Sequence, residues 1–148
     1  MLVEETRFTR QTRSPTWGEA VFRFCEFEDL SIDGNSVDGA LLWCRLKDLD
    51  WYWGLFNTAV VVQTKFHGCT FRGTSFRSCQ FVECEFDRCR FILDNLASEC
   101  TFADCSFVEC SFNECEFVLD SPSGRPVFSN TRWYGCTQAR CTGLDAQF

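Results

Sequence analysis

A chain of 148 residues with a net charge of −7 at pH 7 is the size of one domain, expected to span 1–148. Its acidity excludes non-specific binding to nucleic acid or to an anionic membrane, since both surfaces repel it. With no apolar run of about 18 residues and no basic, apolar leader, a soluble, unprocessed, cytoplasmic protein is expected.

Residues 1–19 show no regular pattern and carry Arg7, Arg10, Arg13 and Pro15. Phe8 and Trp17 are their apolar residues placed to fold over the end of the patterned chain, so the segment reads as an N-terminal cap. From Ala20 an apolar residue returns at every fifth position, through Phe22, Phe27, Ile32, Val37 and Leu42. After one short step the beat continues through Leu46, Trp51, Phe56 and Val61. A small residue stands two places earlier at Ala20, Cys25, Ala40, Cys44 and Ala59, whereas Leu30, Asn35, Leu49 and Gly54 depart from that rule.

The beat is strictest from Thr64 to Phe117. Phe66, Phe71, Phe76, Phe81, Phe86 and Phe91 keep it, and after a slip of one residue Phe102, Phe107, Phe112 and Phe117 resume it. The small position holds Thr64, Cys69, Thr74, Cys79, Cys84 and Cys89, then Cys100, Cys105, Cys110 and Cys115. Five matches neither the 3.6 of a helix nor the 2 of a flat strand. Five residues can make one straight side and a corner, so that four repeats close a roughly square coil of about 20 residues. The large and the small residue face inward; the other three, such as Arg72, Gly73, Arg77 and Ser78, face water or turn the corner.

On these residues the chain resembles the pentapeptide-repeat family. The resemblance implies an all-β fold, a right-handed quadrilateral parallel β-helix, here over 20–118. On such a shaft Tyr52 and Trp53 point outward if Trp51 points in, and one turn on the same wall carries Arg72 and Gly73, then Ile92 and Leu93. Gly73 would leave a shallow depression between Trp53 and Leu93. Tyr52, Trp53, Ile92 and Leu93 are therefore a candidate apolar interface, the alternative being that Trp53 packs under the N-terminal cap.

The slip between Phe91 and Phe102 calls for one extra residue, with Leu96 still reaching the core. Asp94 stands at a small inner position, where a bare carboxylate is costly, so it turns outward or bonds the backbone. Beyond Arg90 no lysine or arginine occurs before Arg125, while Asp104, Glu109, Glu114 and Glu116 accumulate. These four are the candidate acidic end for a basic protein partner, the alternative being a solubilising surface. Gly and Pro between Asp120 and Pro126 suggest a loop over 119–126, and Phe128 and Trp133 suggest a last irregular coil or cap over 127–148.

Twelve cysteines suggest neither disulfides nor zinc, because most lie a multiple of five apart and His67 is the only histidine. They read as small buried packing groups in a reducing compartment. No phosphate loop, nucleophile elbow or metalloprotease motif is present, so no catalytic residue, metal or cofactor is assigned. The function expected is non-enzymatic binding of a basic protein, as by an immunity or antidote protein against a toxin or nuclease, by a monomer or weak dimer. The resemblance implies an alternative. Some pentapeptide-repeat proteins, including those that protect against quinolones, resemble duplex DNA and act on type II topoisomerases such as DNA gyrase. Those are typically dimers joined by a C-terminal helical element, which is not visible here. A plain scaffold is the third reading.

Overall fold

The computed structural model describes residues 1–12, 14–94, 96, 98–118, 126–144 and 148. Its described residues form 24 strands and no helix. The strands are two or three residues long and fall into four parallel sheets, the walls of a square shaft, visited by the chain in a fixed order. Wall 1 is Leu2–Glu4, Val21–Arg23, Ala40–Leu42, Val60–Val62, Gln80–Val82, Ser106–Val108 and Arg132–Tyr134. Wall 2 also has seven strands, from Arg7–Phe8 to Thr137–Ala139. Wall 3 is Ser31–Asp33, Asp50–Tyr52, Thr70–Arg72, Arg90–Ile92 and Glu116–Phe117, and wall 4 runs from Ser36–Val37 to Phe128–Ser129. Walls 1 and 3 are opposite sides of the square.

The five-residue side follows from the backbone. The central residue of each strand points inward, and the second residue after it turns the corner in the left-handed region, as at Gly68 (φ 64°), Ser78 (φ 54°) and Glu83 (φ 53°). Each corner N–H then donates to the next coil, Glu83 to the Val108 carbonyl at 2.8 Å, so the turn itself joins the ladder. Coils stack in register, Phe66 on Phe86 and Phe76 on Phe102, with ring centroids 4.7 and 4.6 Å apart and planes within 3°. Each buried Phe contributes roughly 1.5–3 kcal/mol before conformational entropy opposes it.

The small inner position does more than save space. Its thiol donates to the carbonyl of the strand centre one coil earlier, Cys79 to Phe56 at 3.2 Å and Cys115 to Phe86 at 3.3 Å. Thr64 makes the same bond to Leu41 through its hydroxyl, at 3.2 Å. Cys and Thr are thus the residues small enough to fit and able to donate. Burial pushes the Cys44 thiol up to about 11, which keeps it protonated and a donor. Leu30 and Leu49 stand at the small position before the centres Ile32 and Trp51, and both are buried. Gly54 is the converse, since a Cβ there would stand 2.0 Å from the Trp51 indole nitrogen.

Four expectations change. The first coil begins at Leu2, because Val3 and Phe8 are five apart and pair with Phe22 and Phe27 on walls 1 and 2. Trp17 then fills the missing side, 4.9 Å from Phe27. The short step lies between Val37 and Leu41: Leu41 is the buried centre, Leu42 is half-exposed, and Gly39 rather than Ala40 holds the small place.

The slip after Phe91 is not one residue but six. The step from Phe91 on wall 3 to Phe102 on wall 4 is eleven residues instead of five, and the insertion sits at one corner. Leu96 lies on that loop, 76% exposed, and does not reach the core. Asp94 is buried and bonds the loop backbone, its Oδ1 accepting from Leu96 N–H and Ser98 N–H, both at 2.8 Å. The same eleven-residue step separates Phe117 from Phe128, at the same corner. The loop expected over 119–126 lies outside the described residues except for Pro126. Beyond it three further strands continue the coil, with Cys136 and Cys141 donating to Phe107 and Phe112, and Phe148 lies 5.0 Å from Trp133.

Candidate protein-binding surfaces

Because every strand centre is inside, each wall shows two columns of outward residues and shares a column of corner residues with each neighbour. Wall 2 is charged over its first five strands, from Arg7–Phe8 to Glu85–Asp87. Lys65 lies 3.8 Å from Glu85, and Arg7 2.7 Å from Glu28. A trough of about 430 Å³ runs over its floor, between Arg45, Lys47 and Lys65 and the carboxylates of Glu26 and Glu85. His67 Nδ1 lies 2.7 Å from Asp87, whose other oxygen accepts from Asn113 at 2.8 Å. The Asn113 bond, then His67, holds the Asp87 carboxyl below its usual range. An Asp–His pair needs a nucleophile to act on, and the nearest cysteines, Cys69 and Cys89, point into the core. Among the described residues no cluster of three His, Cys, Asp or Glu could hold a metal ion.

Wall 3 and its edges collect six of the eight residues expected to bind a partner. Tyr52, Arg72 and Ile92 stack in one column, and Trp53, Gly73 and Leu93 form the corner column toward wall 4. Trp53 is 59% exposed and does not pack under the N-terminal segment, where Trp17 lies instead. The depression expected at Gly73 is occupied by the Asp94 carboxylate, and Gly73 is buried beneath it. Arg72 divides the apolar column and pairs with Asp50 at 3.1 Å.

Glu116 lies on the same wall and Glu114 at its edge with wall 2, but both are matched by arginines. Glu116 meets Arg90 at 3.0 Å, and Glu114 meets Arg88 at 3.0 Å and Arg140 at 3.1 Å. Asp104 and Glu109 stand apart from these, at the two edges of wall 1 on either side of Ser106–Val108. Asp104 accepts from Asn130 at 2.7 Å. The four carboxylates thus ring one coil on several sides and do not form one face.

Wall 1 was not singled out in the sequence. One outward column reads Glu4 and Arg23, then Leu42, Val62, Val82, Val108 and Tyr134, and the other reads Leu2, Val21, Ala40 and Val60, then Gln80, Ser106 and Arg132. Phe24 and Trp43 extend it at the corner, stacked with centroids 5.4 Å apart. The available signal was valine immediately after the inner residue at Val62, Val82 and Val108, spaced by one coil and then by one coil plus the insertion.

Residues 59–91 match the family model of pentapeptide repeats, in eight copies. A comparison with curated proteins gave no match. Among solved structures the chain is similar to a pentapeptide repeat protein, Rfr23, from the cyanobacterium Cyanothece 51142, with a TM-score of 0.50 and 8% identity over 79% of this chain and 86% of that one. A trypsin-treated QnrB1, a plasmid-mediated fluoroquinolone resistance protein, aligns with a TM-score of 0.43 and 11% identity over 95% of this chain and 68% of that one. HetL, a pentapeptide repeat protein involved in heterocyst differentiation regulation in the cyanobacterium Nostoc sp. strain PCC 7120, aligns at 0.33 and 8% identity over 95% and 84%.

Proposed function

Since residues 59–91 of this chain match the pentapeptide-repeat family and the chain folds into a four-walled β-helix whose stacked phenylalanine rings and most of whose thiols lie in its core, we propose that it acts without catalysis, by binding a protein on wall 3. The observation that carries this reading is Trp53. It holds a left-handed corner (φ 61°) with its ring in solvent, while Gly34 and Gly73 fill the same corner in the coils on either side. An L-residue in that conformation costs about 1–2 kcal/mol, and a bulky one kept there more than half exposed suits a contact made outside the chain. Tyr52, Ile92 and Leu93 supply apolar surface beside it, and Glu114 and Glu116 can exchange Arg88 and Arg90 for arginines of a partner. With a net charge of −7 the partner favoured is basic.

Within that class an antidote-type inhibitor of a basic toxin or nuclease is the reading we favour over a DNA mimic. A duplex presents continuous negative charge, whereas the carboxylates of the acidic coil alternate with Arg88, Arg90 and Arg140. The test is capture from native lysate at low salt with nuclease present, comparing the wild-type protein with Trp53→Gly. The expected result is one basic protein at near-equal stoichiometry, released by salt and lost with Trp53→Gly. Equal retention by the variant removes wall 3 as the site, and recovery of topoisomerase subunits favours DNA mimicry.

A further inference from the structure

Independently of wall 3, we propose that wall 1 is the contact surface of a weak homodimer in which two shafts lie face to face and antiparallel. The wall has seven strands with Val60–Val62 as the fourth, so a twofold axis running along that strand in the contact plane sets it against its own copy. Leu42 then opposes Val82 of the second copy and Arg23 opposes Val108, because strands equally far from the centre meet. The three central strands bring only Ala40, Leu42, Val60, Val62, Gln80 and Val82 to the contact, with no charge to desolvate.

The cation Arg23 chooses this arrangement over the other face-to-face one. Each sets one pair of carboxylate edges together, Glu109 against Asp104 when the axis runs along the shaft and Asp104 against Glu19 when it runs along the strand. Only the antiparallel axis places Glu109 opposite Phe24 and the Arg23 guanidinium, which in its own chain pairs with Glu4 and lies 5.7 Å from the Phe24 ring centroid, so that Glu109 joins an existing Arg23–Glu4 pair. It also sets Arg132, for which no ion pair is found among the described residues, over the Leu2–Glu4 strand. The two corner aromatics, Phe24 and Trp43, hold left-handed φ of 54° and 51° and stay about half exposed although they stack on each other and Trp43 donates to Gln63.

Size sets the strength. Seven strands at a spacing of ~4.8 Å and a side of ~10 Å give roughly 300 Å² of sheet per copy, and the corner side chains raise this to about 450 Å². That is about half of the roughly 800 Å² per partner typical of stable complexes, so dissociation in the range of about 10 µM to 1 mM is expected.

Sedimentation equilibrium over about 10 µM to 1 mM reads this directly. The wild-type protein should pass from monomer to dimer mass, with no larger species. Val62→Lys, which sets two ammonium groups against each other at the axis, should stay monomeric with an unchanged far-UV spectrum. Arg23→Glu and Glu109→Arg should each weaken the dimer by about tenfold, and the double variant should restore it. A wild-type monomer throughout, or a Val62→Lys dimer of unchanged strength, overturns the proposal. If Val62→Lys abolishes the dimer but the charge swap restores nothing, the antiparallel register is wrong.

Discussion

Trp53 stands where its neighbours in the corner column have glycine, and that contrast is measurable without any partner. Replacing it by glycine removes a left-handed strain of about 1–2 kcal/mol and adds about 0.5–1 kcal/mol of chain entropy to the unfolded state. Trp53→Gly should therefore gain about 0.5–1 kcal/mol in urea unfolding, and a loss instead would show that the indole packs on its own chain. Phe86 lies inside and Glu109 at a corner, so Phe86→Ala should cost about 3–5 kcal/mol and Glu109→Ala under about 0.5. Equal shifts in the denaturation midpoint would reverse the assignment of inside and outside. Asp87 has a depressed folded pKa, so its contribution is present above the unfolded carboxylate value of about 4 and is lost as the pH falls through the lower folded value. The melting difference between wild type and Asp87→Asn should be full near pH 6 and shrink below about pH 4. A difference constant down to pH 2 would remove the role given to Asn113 and His67.

At the scale of the element, the unit is one side plus its left-handed corner, and register survives only if whole units are added or lost. Excising 94–99 makes Cys100 follow Leu93 directly, so that Phe91 and Phe102 become five apart and the coil returns to its regular length. The excision also removes Asp94, whose Oδ2 is buried without a partner. The shortened chain should fold with an unchanged β spectrum and lie within about 1 kcal/mol of wild type. An unfolded product would mean that the loop supports the corner and is not merely inserted into it.

The whole molecule is a stack in which each coil meets only its neighbours, so stability should be greatest in the middle. Hydrogen exchange should protect the amides of Val61–Phe91 most, and those of Leu2–Phe8 and Thr137–Ala139 least. Uniform protection along the shaft would mean that it opens only as one unit. The same stacking separates roles by wall: wall 2 is laced with ion pairs, wall 3 carries Trp53, and one outward column of wall 1 is apolar from Leu42 to Tyr134.

The beat of Phe66 to Phe91, with Cys or Thr two places before, was enough to read the coil, its inward residues and its thiols from the chain alone. A core filled by local repetition leaves its period in the sequence, since every inner position has the same neighbours. Other features were settled only by the stacked structure. Leu41 and Leu42 are chemically alike, so the short step could be placed only by seeing which is buried. An insertion of six has the same remainder on division by five as an insertion of one, so the slip after Phe91 concealed its length. Residues that share a wall lie about 20 or 26 positions apart, as in the pairing of Val62 with Val82 and of Val82 with Val108. The apolar face of wall 1, and the arginines that match Glu114 and Glu116, therefore took form only when the coils were laid on one another.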